Sequence, residues 1–110
     1  MSDDAWQIFD IDEIKSRLAG RGVEYREFLR VPSLSCGIYH LPAGSKDMQN
    51  PHDEDEVYFV VSGRAQMKLG EELKEIVPGN ILYVRATETH SFFEIEEDMM
   101  LLVFFAAALT

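Results

Sequence analysis

The sequence has one cysteine, Cys36, in 110 residues. An internal disulfide needs two cysteines, so no disulfide framework holds this chain, and its composition fits a reducing compartment. Cys36 itself is interpreted as a small core residue. Basic residues are also scarce: 10 Lys and Arg stand against 20 Asp and Glu, which gives a formal net charge of −10 at pH 7. This charge repels phosphate backbones and anionic lipids, so we expect no nucleic acid and no membrane partner.

Targeting segments and long apolar runs are missing as well. The chain begins Met-Ser-Asp-Asp, without the basic start and apolar stretch of a signal peptide. The apolar run over residues 99–109 is far shorter than the roughly 20 residues of a membrane helix, so it predicts a buried strand and a tail. The hydrophobic fraction of 46% predicts a single folded domain. We expect a cytoplasmic protein.

The order of polar and apolar residues predicts one helix followed by strands. Asp10, with Glu13 three residues later, predicts a capped amphipathic helix over residues 11–19. From Val23 onward, about eight or nine short strands are separated by turn signals such as Ser62-Gly63. Because strands and helices do not alternate, the pattern excludes a parallel α/β fold and favours a β-sandwich or barrel. Residues 1–22 are predicted to be a leader and short helix that pack on a barrel formed by residues 23–110.

The candidate site begins where a polar segment enters a strand. His52 and Glu56 stand four residues apart, immediately before the apolar run Val57 to Val61. Imidazole and carboxylate groups are preferred ligands of divalent metals. A metal site needs a third ligand, and His90 lies in a similar context between a polar turn and an aromatic strand. In a small barrel, two such strands can direct their side chains into the same interior.

These residues, in this order, resemble the two motifs of the cupin family. The first motif, G-x5-H-x-H-x3,4-E-x6-G, is matched by Gly44, His52, Glu56 and Gly63. The second, G-x5-P-x-G-x2-H-x3-N, is matched by Gly79 and His90. The resemblance implies an all-β, cupin-type jelly-roll β-barrel with one short N-terminal helix. It also implies a metal bound by His52, Glu56 and His90.

Departures from the motifs change the expected ligand set. Asn50 occupies the first histidine position, and an amide oxygen is a weaker ligand than imidazole. It could ligate the metal, contact a substrate, or form a turn with Pro51. Arg85, Thr87 and Glu94 replace the proline, second glycine and asparagine of the second motif. Two histidines and one carboxylate suit Fe(II), although Zn, Ni, Mn or Cu could occupy the same site, so we expect one divalent transition metal per chain.

Alternation along the strands gives further candidates for the pocket. If Glu56 and His90 point into the barrel, so do the residues two positions further on, Tyr58 and Phe92. The next inward position after Phe92 is Glu94, which could act as a general base near a metal, unless a bulge turns it outward. Tyr58 could equally be a core residue. Tyr39 and Arg85 are the remaining pocket candidates; Arg85 could pair with a carboxylate.

Two classes of function remain open from the sequence. The first is a small mononuclear metalloenzyme with dioxygenase-like or Lewis-acid chemistry on a small polar or carboxylate-bearing substrate. The second is a non-catalytic module that binds a small molecule or regulates a partner, with or without a structural metal. A metal-free barrel for sugar-like ligands is a variant of the second. The apolar C-terminal strand and Trp6, Ile8 and Phe9 leave apolar surface, from which we expect a homodimer.

Overall fold

The structure is a computed structural model that describes residues 5–47 and 53–107. Its helix α1 spans Ile11–Ser16, which is shorter than predicted, and Asp10 is its N-cap as expected. The Asp10 carboxylate accepts a hydrogen bond of 3.1 Å from the Glu13 N–H. Glu13 does not complete the capping box, because its carboxylate pairs with Arg17 at 3.0 Å. No helix in the described part of the chain is long and apolar enough to cross a membrane.

The described strands form one antiparallel sheet, in agreement with the predicted all-β class. They are β1 (Glu24–Val31), β2 (Leu34–Leu41), β3 (Glu56–Leu69), β4 (Glu72–Ile76), β5 (Ile81–Val84) and β6 (His90–Ala106). The strand order is β1-β2-β6-β3-β4, and β5 pairs with the first part of β3. The pairing does not close into a complete barrel, since β1 and β4 end the path.

Bulges in the two longest strands fold this sheet onto itself. The register between β3 and β6 shifts around Ser62 and Arg64, opposite the segment between Phe93 and Met100. Extra residues on one strand bend it and increase its twist. One layer therefore contains β1, β2, the second half of β6, the first half of β3, and β5. The other contains the first half of β6, the second half of β3, and β4.

The core lies between these two layers. The larger layer contributes alternate residues of β3 and β6, such as Tyr58, Val60 and Leu101, all with no exposed surface. The smaller layer contributes Met67 and Phe92, which are 0% and 1% exposed. Because side chains alternate across a strand, the residues between them point outward. The side chains on the inner face of each layer thus form the core, and those at the ends of the strands are available to form a site.

Two features differ from the sequence-based expectations. Ser62-Gly63 is not a turn, because β3 continues through it as a bulge. The described residues form six strands, of which β3 and β6 are 14 and 17 residues long, instead of eight or nine short ones. The C-terminal strand does not supply exposed apolar surface along its length. It is central in the sheet, paired with β2 on one side and β3 on the other, and Met99, Leu101 and Val103 are buried.

Candidate functional site

Glu56 is the first residue of β3 and points into the core. It pairs with Val84 of β5 on one side and with Phe105 of β6 on the other. Only 2% of Glu56 is exposed. An ionised carboxylate is costly to bury unless a cation or hydrogen-bond donors compensate it. The sheet therefore holds this carboxylate where it requires a partner.

His90 supplies that partner from the opposite layer. It is the first residue of β6 and pairs with Leu69, at the far end of β3 from Glu56. The fold of the sheet nevertheless brings His90 Nε2 to 2.8 Å from Glu56 Oε1, with both side chains 1% exposed. The pair predicted from the two motifs is thus in direct contact.

The other ring nitrogen fixes the orientation of His90. Nδ1 lies 2.9 Å from the carbonyl oxygen of Glu88, and since a carbonyl only accepts, Nδ1 carries the proton. Nε2 then presents its lone pair toward Glu56 unless the ring is doubly protonated. Two acceptors 2.8 Å apart need a proton or a cation between them. A hydrogen bond from the second ring nitrogen to a carbonyl is also the usual support of a metal-binding histidine.

The protonation of His90 reflects opposing effects. Burial lowers the pKa of the imidazole, but hydrogen bonds with Glu56 and the Glu88 carbonyl raise it. The negative charges of Glu56 and Asp47 raise it further, so the net pKa lies above the ordinary histidine value. The pair consequently attracts positive charge to the position between its two side chains.

The second oxygen of Glu56 gives a direct test of whether the pair fits a metal. Oε2 is buried and has no hydrogen-bond partner in the described structure. Such an oxygen carries an uncompensated desolvation cost. A cation bound by this carboxylate and by Nε2 would remove the cost, so the two side chains fit a divalent metal. Within residues 5–47 and 53–107, however, no three His, Cys, Asp or Glu side chains group together as a metal site.

Asn50 and His52, the remaining expected ligands, lie outside the described residues. The chain on either side of them is anchored beside the pair. Asp47 accepts hydrogen bonds from the Tyr39 hydroxyl at 2.8 Å and from the Phe92 N–H at 3.0 Å. On the other side of Asn50 and His52, the Asp55 carboxylate accepts a hydrogen bond of 2.8 Å from the Ala86 N–H. Sequence analysis missed both aspartates, since nothing in an acidic loop distinguishes an anchor from a solvated charge.

Aromatic residues close the interior around His90. The Tyr58 hydroxyl lies 3.1 Å from His90 Nε2, and the Tyr58 ring packs edge-on against Phe92 with centroids 5.4 Å apart. Both aromatic residues are essentially buried. Tyr58 thus combines the two roles considered for it, because its ring fills the core while its hydroxyl reaches the site.

Glu94 and Arg85 do not lie with the pair. Glu94 is exposed and has a φ of 47°, in the left-handed region, because it falls in the β6 bulge that interrupts alternation. Glu94 therefore does not point inward with Phe92, and the bulge alternative is correct. The Arg85 side chain is 76% exposed and lies 3.6 Å from Glu88. Neither residue is positioned to act on a group bound between Glu56 and His90.

An open cavity of about 590 Å³ lies on the inner face, and its described wall includes neither Glu56 nor His90. Its wall includes Phe105 and Val103, the cross-strand partners of Glu56 and Tyr58. Tyr39, a pocket candidate from the sequence, also lines it, and burial and the neighbouring Asp47 raise the pKa of the Tyr39 hydroxyl. The wall residues that the sequence did not indicate include Tyr25, Glu27 and Arg30 of β1, and Glu54 in the segment just before β3.

Comparisons with known proteins agree with this architecture. An uncharacterized protein of Streptomyces coelicolor is 44% identical over 98 residues, which cover 89% of this chain and 93% of the relative. The crystal structure of TT1209 from Thermus thermophilus has a TM-score of 0.77 at 21% identity, covering 94% of this chain and 100% of that one.

A further solved structure with the same fold is an enzyme. The DMSP lyase DddQ of Ruegeria pomeroyi has a TM-score of 0.74 at 20% identity, covering 84% of this chain and 52% of the lyase. At these identities, the two solved structures establish the fold alone. The family model described as "Cupin domain" matches residues 37–105, which include both Glu56 and His90. The chain belongs to the cupin domain family.

Proposed function

We propose that this protein is a small mononuclear metalloenzyme in which His52, Glu56 and His90 hold one divalent metal. The observation that carries the proposal is the buried Glu56–His90 contact of 2.8 Å, together with the Glu56 oxygen that has no hydrogen-bond partner among the described residues. Burying such a carboxylate without a cation destabilises the fold, and proteins keep unfavourable features of this kind mainly at functional sites. The donor set alone does not select among Fe, Zn, Ni, Mn and Cu.

The residues around the pair have separate roles in this proposal. The Glu88 carbonyl fixes the ring of His90, and the Tyr58 hydroxyl, 3.1 Å from Nε2, can donate a hydrogen bond to an anionic group. Phe92 and the surrounding core exclude water, which strengthens electrostatic interactions inside. When bound, the metal would supply Lewis-acid or dioxygen-activating chemistry. The lyase activity of DddQ supports an enzymatic use of this fold, although it does not fix the reaction.

The charges on the cavity wall favour a small polar substrate and disfavour a carboxylate-bearing one. The wall carries Glu27 and Glu54, and of the ten Lys and Arg in the sequence, all within the described residues, only Arg30 lines it. The Arg30 guanidinium is already 2.8 Å from the Glu27 carboxylate. A substrate carboxylate would therefore meet excess negative charge. Of the two substrate classes expected from the sequence, we retain the small polar one, neutral or cationic.

Elemental analysis of protein purified without an affinity tag tests the metal proposal. We expect about one equivalent of a transition metal in the wild type, and less than about a tenth in His52→Ala and in His90→Ala. His40→Asn is the matched control. His40 is also a buried histidine bonded to a backbone carbonyl, with Nδ1 3.1 Å from Gly22 O, but it lies on β2 away from Glu56. Full metal content in both alanine variants would refute the ligand assignment.

A non-catalytic binding module is the second candidate, and the position of the cavity favours it. Neither Glu56 nor His90 is among the described wall residues, so a ligand could be held without contact to the pair. Oxygen uptake and product formation with the metal-loaded protein, using a panel of small diols, thiols and amines, separate the two candidates. Turnover abolished in His90→Ala supports the enzyme, while unchanged binding without any turnover supports the module.

A further inference from the structure

The cavity on the inner face has a charge pattern that indicates the class of its ligand. Its volume of about 590 Å³ is typical of a site for a small organic molecule. The described part of the wall is mostly apolar, and its charged side chains are the two carboxylates Glu27 and Glu54 and the single cation Arg30. The wall thus has one negative charge in excess. An apolar wall with a few placed charges selects a ligand by the sign of its charge.

Arg30 is not available to hold an anionic ligand. Its terminal guanidinium nitrogen lies 2.8 Å from one oxygen of the Glu27 carboxylate, and its Nε donates a hydrogen bond of 3.1 Å to the other. A contact at both oxygens satisfies the two charges together and holds them in a fixed geometry. Glu27 and Arg30 therefore neutralise each other, and Glu54 carries the excess charge.

Glu54 is a half-buried wall residue just before β3, and its charge is not balanced by a neighbour. Between residues 5–47 and 53–107, no Lys, Arg or His side chain forms an ion pair with it. Partial burial of a carboxylate without a cation is unfavourable, so a cationic ligand would stabilise this position. The net charge of −10 on the chain also attracts cations from a distance.

Tyr25 adds an aromatic surface to the same cavity. Its ring packs edge-on against Tyr39 and against Phe105, with ring centroids 6.2 Å apart in both pairs, and all three residues line the wall. Tyr25 remains 42% exposed, so part of its ring is open to a ligand. The face of an aromatic ring attracts cations, and alkylated ammonium groups in particular are recognised in this way.

Gly37 holds the Tyr25 ring in this position by leaving space for it. Tyr25 of β1 pairs with Tyr39 of β2, and Gly37 lies two residues further along β2 on the same face. A Cβ atom on Gly37 would overlap the hydroxyl oxygen and Cζ of Tyr25. The backbone of Gly37 is not in the left-handed region, so glycine is required here for space rather than for its conformation. Contacts on several sides fix the ring before a ligand arrives, which lowers the entropic cost of binding.

We propose that this cavity binds a small organic cation of the alkylammonium type, with the charge beside Glu54 and the alkyl groups against Tyr25 and the apolar wall. This inference deepens the proposed function, because it names the ligand class of the same molecule. A neutral ligand of the same shape would leave the Glu54 charge unbalanced, and an anionic ligand would be repelled. Since neither Glu56 nor His90 belongs to the described wall, binding of the cation does not require a metal.

Calorimetry on metal-free protein tests the proposal with choline and 3,3-dimethylbutan-1-ol, two probes of the same shape that differ in the charged nitrogen. We expect choline to bind at least about ten-fold more tightly. Glu54→Gln should reduce this preference to less than about three-fold. Glu72→Gln is the matched control. It removes the same charge from an exposed position on β4, in the smaller layer, and should leave the preference unchanged.

Two variants of Tyr25 separate the effect of its ring from that of its hydroxyl. Tyr25→Leu should weaken choline binding about five-fold, whereas Tyr25→Phe should bind choline as the wild type does, because the ring provides the attraction. Circular dichroism verifies that each variant is folded. Equal binding of the two probes to the wild type, undetectable binding of choline, or an unchanged preference in Glu54→Gln would each overturn the proposal.

Failure of the cation site is distinguishable from failure of the metal proposal. If elemental analysis finds no metal while choline shows the expected preference, the metalloenzyme proposal fails and the cation site is supported. If the protein contains metal but does not prefer choline, the cation site is refuted and the metal proposal is unaffected.

Discussion

Gly63→Ala is expected to be strongly destabilising, because Gly63 lies in the β3 bulge that folds the sheet. Its φ is +97°, a conformation that residues with a side chain rarely adopt. A Cβ atom here would overlap the carbonyl oxygen of Asp98 and lie 2.6 Å from the Met99 Cα, both backbone atoms of the bulge in β6. Neither strand can move away without breaking its pairing.

The expected cost has two parts. Forcing a positive φ on alanine costs about 1–3 kcal/mol, and the overlap with the β6 backbone adds about 1–3 kcal/mol. We expect a loss of about 3–4 kcal/mol in the free energy of unfolding. For a domain of this size, about 4 °C per kcal/mol places the drop in Tm near 12–16 °C.

Gly79→Ala is the matched control for the strain alone. Gly79 has a φ of +90°, but a Cβ there would meet nothing within 4 Å. The Gly79→Ala substitution should cost only the backbone strain, about 1–3 kcal/mol. Urea unfolding of the three proteins, followed by circular dichroism, measures the difference. Equal losses in the two variants, within about 0.5 kcal/mol, would refute the argument that close packing of the two bulges fixes the fold of the sheet.

Two further predictions concern the cavity. In metal-free protein, calorimetry should show 3-phenylpropylammonium or 3-phenylpropanol binding at least about ten-fold more tightly than 3-phenylpropanoate, because Glu27 and Glu54 repel the carboxylate. Glu27→Gln, which releases Arg30 from its ion pair, should improve carboxylate binding, and tightest binding of the carboxylate to the wild type would contradict this. Burial and the charge of Glu27 raise the pKa of Tyr25 to about 12 in the folded protein. The contribution of Tyr25 to the free energy of unfolding should therefore be complete below pH 10. It should fall as the pH rises toward 12, because in that range Tyr25 ionises in the unfolded chain but not in the folded one. Since Tyr25 is 42% exposed, solvent screening reduces the loss to about 1 kcal/mol. Tyr25→Phe should remove this part of the pH dependence, and an unchanged profile would contradict the assignment.

Local patterns were sufficient for the fold class and for part of the site. Alternation, turn residues and the N-cap Asp10 are signals between close neighbours, and the structure follows them except at the bulges of β3 and β6. Glu56 and His90 could be identified because their spacing from the motif glycines places each at the beginning of a strand. Their contact across the two layers follows from the pairing register of β3 and β6.

The features that sequence analysis missed depend on pairing between distant segments. A glycine after an apolar run is typical of a turn, and only the pairing of Gly63's strand with β6 carries the chain onward as a bulge. A separate bulge in β6 turns Glu94 outward, since alternation holds only while the strand is regular. Asp47 became significant only when the fold placed the Phe92 N–H beside it. The cavity likewise needs the hairpin of β1 and β2 to meet the end of β6.

The folded ladder of β3 and β6 also implies an order of assembly. Pairing of Leu69 with His90 closes a shorter loop than pairing of Glu56 with Phe105, so its entropic cost is smaller. Ladder formation should therefore start near the β4–β5 segment and reach Glu56 last. Contacts between residues far apart in sequence form slowly. A partly folded chain would thus contain the His90 end of this ladder while Glu56 and His90 remain apart, which makes their contact a marker of a completed β3–β6 ladder.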